Sequence, residues 1–197
     1  MGNYTAEELL IKYTDNTSHA NEVRRLALLL FDETCKKILE MPEKEREYLA
    51  AASLLHDIGY YVDAKGHNKY SMKIIMEEGL PGFSYRELMI TGCIARYHRG
   101  SLPDKTEHDI YRGLEKKERK IVKRLGGILR LADGLDSGHM NMIKKVVIDY
   151  NKDDNIVKFI LTPSIPDYLP DITSAVRKRD LYEIGFKCQS VIMFERK

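Results

Sequence analysis

His56 and Asp57 are adjacent side chains that can bind a metal ion, and they end the apolar stretch LAAASLLHDIGY at residues 49–60. On a helix, Leu49, Ala52 and Ser53 share one face with His56, which indicates that this imidazole points inward. Asp57 lies about 100° further round, close enough for both side chains to reach one ion. Burying both groups costs free energy unless a partner compensates. A metal ion is one such partner, and a hydrogen bond between the two groups is the alternative.

His19 and Asp133 are predicted to face the core of the molecule from two other helices. His19 lies on the same face as the apolar Val23, so it is either a metal ligand or a core or capping residue. Asp133 lies one turn beyond the apolar Leu129. Acidic groups near a helix C-terminus are unfavourable, so neither Asp133 nor Asp136 is present for the stability of the helix.

Together, His19, His56, Asp57 and Asp133 form a mixed set of nitrogen and oxygen ligands. A helical bundle can bring such positions from separate helices to one point in its core. Two imidazoles and two carboxylates suit Mn²⁺, Fe²⁺, Mg²⁺ or Co²⁺ in octahedral geometry better than they suit a closed tetrahedral zinc site. Four ligands on a six-coordinate ion leave two positions for water or substrate. That arrangement suits the attack of activated water on a phosphoryl group.

The elements that carry these residues are predicted helices, and the pattern changes only after Met142. Capping sequences TAEE at 5–8 and SYRE at 84–87 mark two helix starts. Beyond Met142, two strands at 144–150 and 156–161 are predicted to form a hairpin with the loop 151–155. A last helix is predicted over about 172–189. Two strands are not stable alone, so we expect them to pair with the tail 191–194, with a partner chain or against that helix.

The predicted fold is therefore mainly α, with a small C-terminal α+β extension. Residues 1–141 form a helical domain that carries the metal site, and residues 142–197 form a β-hairpin and a helix that pack on it. His108 falls in a polar loop over about 102–112 and is predicted to face solvent.

Composition excludes several classes of function. The net charge of +2 does not favour binding to nucleic acid, and no stretch approaches the ~18 apolar residues of a membrane span. No signal peptide is visible, so we expect a cytoplasmic protein. The cysteines are far apart and are expected to be reduced core thiols: Cys35, Cys93 and Cys188. Whether the chain forms a homodimer is left open.

His19, the His56-Asp57 pair and Asp133 resemble the H…HD…D signature of the HD-domain metal-dependent phosphohydrolases. The chain is most similar to one branch, the C-terminal HD domain of exopolyphosphatase and guanosine-pentaphosphate phosphatase proteins. The resemblance runs from about residue 18 to 139, and more loosely through the hairpin and the last helix. It rests on five motifs: LLHDIGYY (54–61), GHNKYS (66–71), LPGFS (80–84), IARYHR (94–99) and LADGLD (131–136). It implies an HD-type helical bundle with one divalent ion and leaves a second ion open.

The resemblance also implies roles for other residues. His67 and His98 match positions where some HD proteins hold a second metal or a catalytic acid, so they are catalytic candidates with Asp57. Their alternative role is to contact substrate phosphate or to hydrogen-bond a metal ligand. Basic side chains beside a metal can neutralise charge on phosphoryl oxygens, so a phosphate-binding role is expected for Lys69, Arg96 and Arg99 and, more weakly, for Arg130 and His139.

The function expected from this resemblance is metal-dependent hydrolysis of a phosphate ester or anhydride, on a nucleotide-like small molecule. The two-part relatives carry an N-terminal actin-like phosphatase domain that this sequence has no room for, so exopolyphosphatase activity is not expected. One alternative is a non-catalytic module that binds a polyanion or forms a dimer. Another is an HD-type di-iron oxygenase, with which the presence of His67 and His98 is compatible.

Overall fold

The computed structural model describes residues 2–195 of the 197-residue chain, and the fold is mainly helical with a small sheet near its C-terminal end. The sequence predicted this fold class. The helices are α1 (Ala6–Tyr13), α2 (Ser18–Lys37), α3 (Glu43–Leu55), α4 (His67–Glu78), α5 (Tyr85–Arg96), α6 (Asp109–Arg112), α7 (Lys116–Leu135), α8 (Thr173–Lys178) and α9 (Asp180–Phe186). The short 3₁₀ helix Ile58–Tyr61 follows α3.

Two helix starts are fixed by the capping boxes that the sequence predicted. The Thr5 hydroxyl accepts a hydrogen bond from the Glu8 amide at 3.2 Å, and the Glu8 carboxylate accepts from the Thr5 amide at 2.8 Å. Ser84 and Glu87 make the same exchange at the start of α5. Each exchange satisfies amide groups that the first helical turn leaves without partners.

Helix α7 is the central element of the bundle. Its C-terminal half is buried throughout residues 125–135, and it packs against α2, α5, α8 and α9. Gly127 and Gly134 permit this close packing: a Cβ at either position would lie 2.6 Å from the Cα atom of Tyr182 or Ala175, respectively. Side chains at these two positions are excluded, so the backbones of α8 and α9 lie directly against α7.

The sheet has the strand order β1-β2-β3, with β1 (Ile143–Asn151), β2 (Ile156–Pro163) and β3 (Gln189–Phe194). Strands β1 and β2 form the predicted antiparallel hairpin, and Asn151 pairs with Ile156, so the loop is one residue shorter than expected. Strand β3 pairs with β2 in parallel. The tail is thus the partner that the hairpin required.

Two sequence-based predictions about local structure are wrong. The single helix expected over 172–189 is divided into α8 and α9, and the Leu181 amide donates to the Asp180 side chain at the start of the second. His108 is buried rather than solvent-facing. Its Nδ1 lies within hydrogen-bond distance of the Tyr97 hydroxyl, at 2.9 Å, and this contact holds the ring against the helical bundle.

No helix among residues 2–195 has the length and apolar character needed to cross a membrane.

Candidate metal centre

Four elements meet at Asp57, and each places a predicted site residue there. His19 lies in the first turn of α2, and His56 lies directly after the last residue of α3. Asp57 follows at φ −110° and ψ 0°, where the α-helix gives way to the 3₁₀ helix. Asp133 lies in the last turn of α7. The carboxylate of Asp57 is therefore held at a helix end, where it can face side chains from several directions.

The His19 cluster consists of His19, His56, Asp57 and Asp133. Nε2 of His19 lies 3.3 Å from Oδ1 of Asp133 and 4.0 Å from Oδ2 of Asp57. Nε2 of His56 lies 3.4 Å from the same Asp57 oxygen and 3.9 Å from Oδ1 of Asp133. Side chains from three helices thus aim two nitrogens and two oxygens at one small volume, as the sequence pattern predicted.

The His67 cluster lies on the other side of the same carboxylate and consists of Asp57, His67 and His98. Oδ1 of Asp57 lies 3.1 Å from Nε2 of His67 and 3.4 Å from Nε2 of His98. The two imidazole nitrogens are 3.4 Å apart. Asp57 therefore belongs to both clusters, with one oxygen in each.

Hydrogen bonds on the far side of the rings determine which nitrogen faces the centre. Nδ1 of His56 lies 2.7 Å from the Ser53 carbonyl oxygen, and Nδ1 of His98 lies 2.7 Å from the Ala95 carbonyl oxygen. Nδ1 of His67 lies 3.1 Å from the carbonyl oxygen of Ala64. A carbonyl oxygen only accepts, so Nδ1 carries the proton in each neutral ring and Nε2 offers a lone pair to the centre.

The lone pairs of His56 and His98 face acceptors rather than donors, whereas Nε2 of His67 also lies 3.5 Å from Nη1 of Arg99. Nε2 of His56 and Oδ1 of Asp57 are buried and have no hydrogen-bond partner within residues 2–195. The Nε2 atoms of His67 and His98 face each other. Buried acceptors that face one another repel unless a cation or a proton lies between them. The donor set therefore fits divalent ions, and the ligand chemistry is that of Mn²⁺, Fe²⁺, Co²⁺ or Mg²⁺.

The pKa values of the ionisable groups at the site are shifted in opposite directions. Burial opposes charge on His19, but its contacts with Asp133 and Asp136 outweigh burial and raise its pKa to about 9. Burial lowers the pKa of His98 to about 3. Burial opposes ionisation of Asp57 and Asp133 as well, yet the surrounding histidines hold the pKa of both carboxyl groups below its usual value. Both carboxylates are thus charged at neutral pH and available to a cation.

Two contacts at the site were not predicted as such. Asp136 is buried and accepts from Nδ1 of His19 at 2.8 Å, and its other oxygen accepts from the Asn141 amide. Its unfavourable place at a helix C-terminus was the sequence signal for it. Lys178 of α8 forms an ion pair with Oδ2 of Asp133, and no pattern in the sequence pointed to this lysine.

The basic candidates are distributed unevenly around the centre. Arg99 is exposed, and its Nη1 lies 3.5 Å from Nε2 of His67. Lys69 is exposed on α4, and Arg96 is half-buried with its guanidinium 5.7 Å from the ring centre of Tyr97. Their phosphate roles stay predictions.

The weaker candidates, Arg130 and His139, have different environments. The guanidinium of Arg130 pairs with both carboxylate oxygens of Asp180 and donates to the carbonyl of Gly100, and its phosphate role stays a prediction. His139 is exposed and stacks on His19, with ring centres 3.9 Å apart. It lines a small cavity of about 160 Å³ that opens onto His19 and Asp57.

Comparison with known proteins identifies the family. A guanosine-5'-triphosphate,3'-diphosphate pyrophosphatase from Vibrio vulnificus (strain YJ016) is 29% identical over 122 residues, which cover 61% of this chain and 23% of that protein. The aligned part thus spans about a quarter of the length of that relative. The family model described as Ppx/GppA phosphatase, domain III, matches residues 2–170. The chain therefore belongs to the Ppx/GppA phosphatase domain III family.

Proposed function

We propose that this chain is a metal-dependent phosphohydrolase whose active site is built around Asp57, with one divalent ion in each of the two clusters. One observation carries the proposal: the two oxygens of Asp57 each face a separate set of imidazole nitrogens. Buried acceptors directed at one another in this way are characteristic of a site made for cations. The HD-type arrangement that the motifs suggest is part of the same proposal.

His19, His56, Asp57 and Asp133 would hold one ion, and Asp57, His67 and His98 would hold the other. When bound, divalent ions at such a site supply Lewis-acid chemistry, which polarises a phosphoryl oxygen and lowers the pKa of water. Histidines held through Nδ1 cannot rotate freely, so the protein fixes the directions of its nitrogen donors before an ion arrives.

The chain also offers groups that bind and orient a phosphorylated substrate. Arg99 lies beside His67 at the exposed edge of the centre, where its guanidinium can donate two hydrogen bonds to phosphoryl oxygens. Tyr60 stacks on the ring of His67, with ring centres 3.8 Å apart, and shields that imidazole from water. Lys69 and Arg96 are assigned to longer-range neutralisation of the charge on the phosphates.

For the substrate class, we propose a phosphate anhydride of a small nucleotide-like molecule. The Vibrio vulnificus relative is named as a pyrophosphatase of a guanosine polyphosphate, which is such a compound. The aligned part covers 23% of that protein, so we extend the activity of that protein to this chain only as a proposal. The exposed position of Arg99 suits a substrate with several negative charges.

The test is a hydrolysis screen of the full chain with Mn²⁺, Mg²⁺, Fe²⁺ and Co²⁺. Substrates are guanosine polyphosphates, other nucleotides, short polyphosphates and a chromogenic phosphodiester. Asp57→Ala is expected to lower turnover at least about a thousandfold, because it removes a ligand from both clusters. Asp153→Ala, which removes an exposed carboxylate from the hairpin loop, is the matched control and should keep wild-type turnover.

The same screen distinguishes the alternatives. Wild-type turnover by Asp57→Ala would show that the hydrolysis comes from a contaminant or from another site. A wild-type protein that binds ions and hydrolyses nothing would instead support the non-catalytic polyanion-binding module. Oxygen consumption by the Fe²⁺-loaded protein would identify the di-iron oxygenase alternative, for which the His67 cluster also supplies nitrogen donors.

A further inference from the structure

Lys178 reaches the proposed metal centre from a part of the chain outside the family match. That match ends at residue 170, and Lys178 is the last residue of α8. Its ammonium group pairs with Oδ2 of Asp133, whereas Oδ1 of the same carboxylate faces His19 and His56. The two oxygens of Asp133 therefore have different partners, and the lysine occupies the one that points away from the imidazoles.

Contacts on both sides hold the backbone around Lys178. Three residues before it, Ala175 is fully buried against Gly134, which is the neighbour of Asp133 in α7. Two residues after it, Asp180 pairs with Arg130 at 2.8 and 3.1 Å, and Arg130 also lies in α7. The lysine thus projects from a segment that α7 fixes at two points, three residues before Asp133 at Arg130 and one residue after it at Gly134.

The ion pair between Lys178 and Asp133 costs desolvation free energy, so its presence requires an explanation. Asp133 is 7% exposed, and the side chain of Lys178 is 22% exposed. An ion pair at this depth loses hydration on both sides, so it adds little stability, but it does specify one arrangement of the groups. What it specifies here is the rotation of the Asp133 carboxylate, and with it the position of the oxygen that faces His19 and His56.

We infer that Lys178 is a positioning residue of the metal centre, so that the segment after residue 170 completes the site. The inference rests on the proposed function. By holding Oδ2, Lys178 keeps Oδ1 of Asp133 directed at His19 and His56. Partners of this kind on metal-ligating carboxylates typically contribute about 10- to 100-fold in metal affinity.

A role for Lys178 in charge balance alone predicts the opposite change in metal affinity. If Lys178 only balanced the charge of Asp133, its removal would leave a more negative site and would tighten the binding of a divalent cation. The sign of the change in affinity therefore separates positioning from charge balance. Arg177, its exposed neighbour in α8, offers a control that removes one positive charge without touching Asp133.

The experiment is calorimetric titration of the metal-free full chain with Mn²⁺. Lys178→Met is expected to weaken binding about 10- to 100-fold. Arg177→Met should bind as the wild type does, and Lys178→Arg, which keeps a charged N–H donor, should restore most of the affinity. Thermal melting of each metal-free variant checks that the fold is intact, and Lys178→Gln replaces Lys178→Met if the latter does not fold.

The outcomes separate the two proposals. Equal or tighter Mn²⁺ binding by a folded Lys178→Met variant would overturn the positioning role and leave the metal centre standing. Weaker binding that Lys178→Arg does not restore at all would likewise overturn it, because the loss would then reflect packing of α8. A wild-type chain that binds no Mn²⁺, Co²⁺ or Fe²⁺ would overturn the proposed function and this inference with it.

Discussion

His19 and Asp136 form a buried hydrogen bond in which Nδ1 of the imidazole donates to Oδ2 of the carboxylate at 2.8 Å. The bond turns Nε2 of His19 toward Asp133, 3.3 Å away. A carboxylate behind a metal-binding histidine fixes the ring and makes the other nitrogen a better donor. Asp136 therefore acts on the centre through His19 without belonging to either cluster.

Asp136→Asn tests this relationship. The substitution keeps the size of the side chain but removes the charge that sustains the basicity of His19, so Mn²⁺ affinity, corrected for the proton that the ion displaces from His19, should fall about 10- to 100-fold. The pKa of His19 in the metal-free protein should also fall from its value of about 9. Calorimetry and an NMR titration of the imidazole measure the two effects. Asp149→Asn, at an exposed position of β1, is the control, and equal affinities in the two variants would contradict the prediction.

The raised pKa of His19 predicts how metal binding depends on pH. Below about 9 the imidazole is protonated in the metal-free protein, and an ion must displace that proton to reach Nε2. Mn²⁺ affinity should therefore increase with pH, by up to about tenfold per unit from this group between pH 6.5 and 8.5. Titrations in buffers of different ionisation enthalpy should show about one proton released per chain. An affinity independent of pH across this range would refute the assignment.

Residues at the ends of predicted helices were the part of the site that sequence could locate. His19, His56, Asp57 and Asp133 are each close to a helix end or on an apolar face, and local periodicity determines which face is inward. The capping sequences at Thr5 and Ser84 fixed two helix starts in the same local way. Such features depend on neighbours within one or two turns, so they can be read without knowledge of the tertiary fold.

Contacts between distant segments were the part that sequence could not supply. Lys178 and Asp133 are 45 residues apart, and their pairing depends on the close approach of α8 to Gly134. His108 lies in a polar loop, and its burial accompanies a contact between its Nδ1 and the Tyr97 hydroxyl just after α5. Arg130 lies among the motif residues, but its partner, Asp180, comes from a helix boundary that periodicity did not reveal. Each of these contacts depends on tertiary packing.

The His67 cluster predicts the number of ions per chain. His67→Gln removes one of its two imidazoles and leaves the His19 cluster complete, so bound Mn²⁺ should fall from about two ions to about one per chain. Elemental analysis after gel filtration without chelator measures the ratio. His108→Gln is the matched control, since that histidine is buried beside Tyr97, away from Asp57. One ion in both the wild type and His67→Gln would restrict the centre to the His19 cluster.

Gly134→Ala tests the packing that brings α8 to the metal centre. Alanine is favoured over glycine within a helix by about 1 kcal/mol, but here its Cβ would lie 2.6 Å from the Cα atom and 2.8 Å from the amide nitrogen of Ala175. Backbone atoms of a packed helix cannot move aside as a flexible side chain can. The overpacking cost of about 1–3 kcal/mol should therefore exceed the gain in helix propensity, and α8 should shift away from Asp133.

We expect a lower free energy of unfolding in Gly134→Ala, together with weaker Mn²⁺ binding as Lys178 withdraws from Asp133. Urea unfolding of the metal-free chain and calorimetric titration measure the two effects. Gly138→Ala is the matched control, because the nearest atom to its Cβ is Cγ of Met140 at 3.9 Å, an ordinary contact. Unchanged stability and affinity in Gly134→Ala would show that α8 can move without disturbing the centre. The close contact of Gly134 with Ala175 would then have no part in placing Lys178.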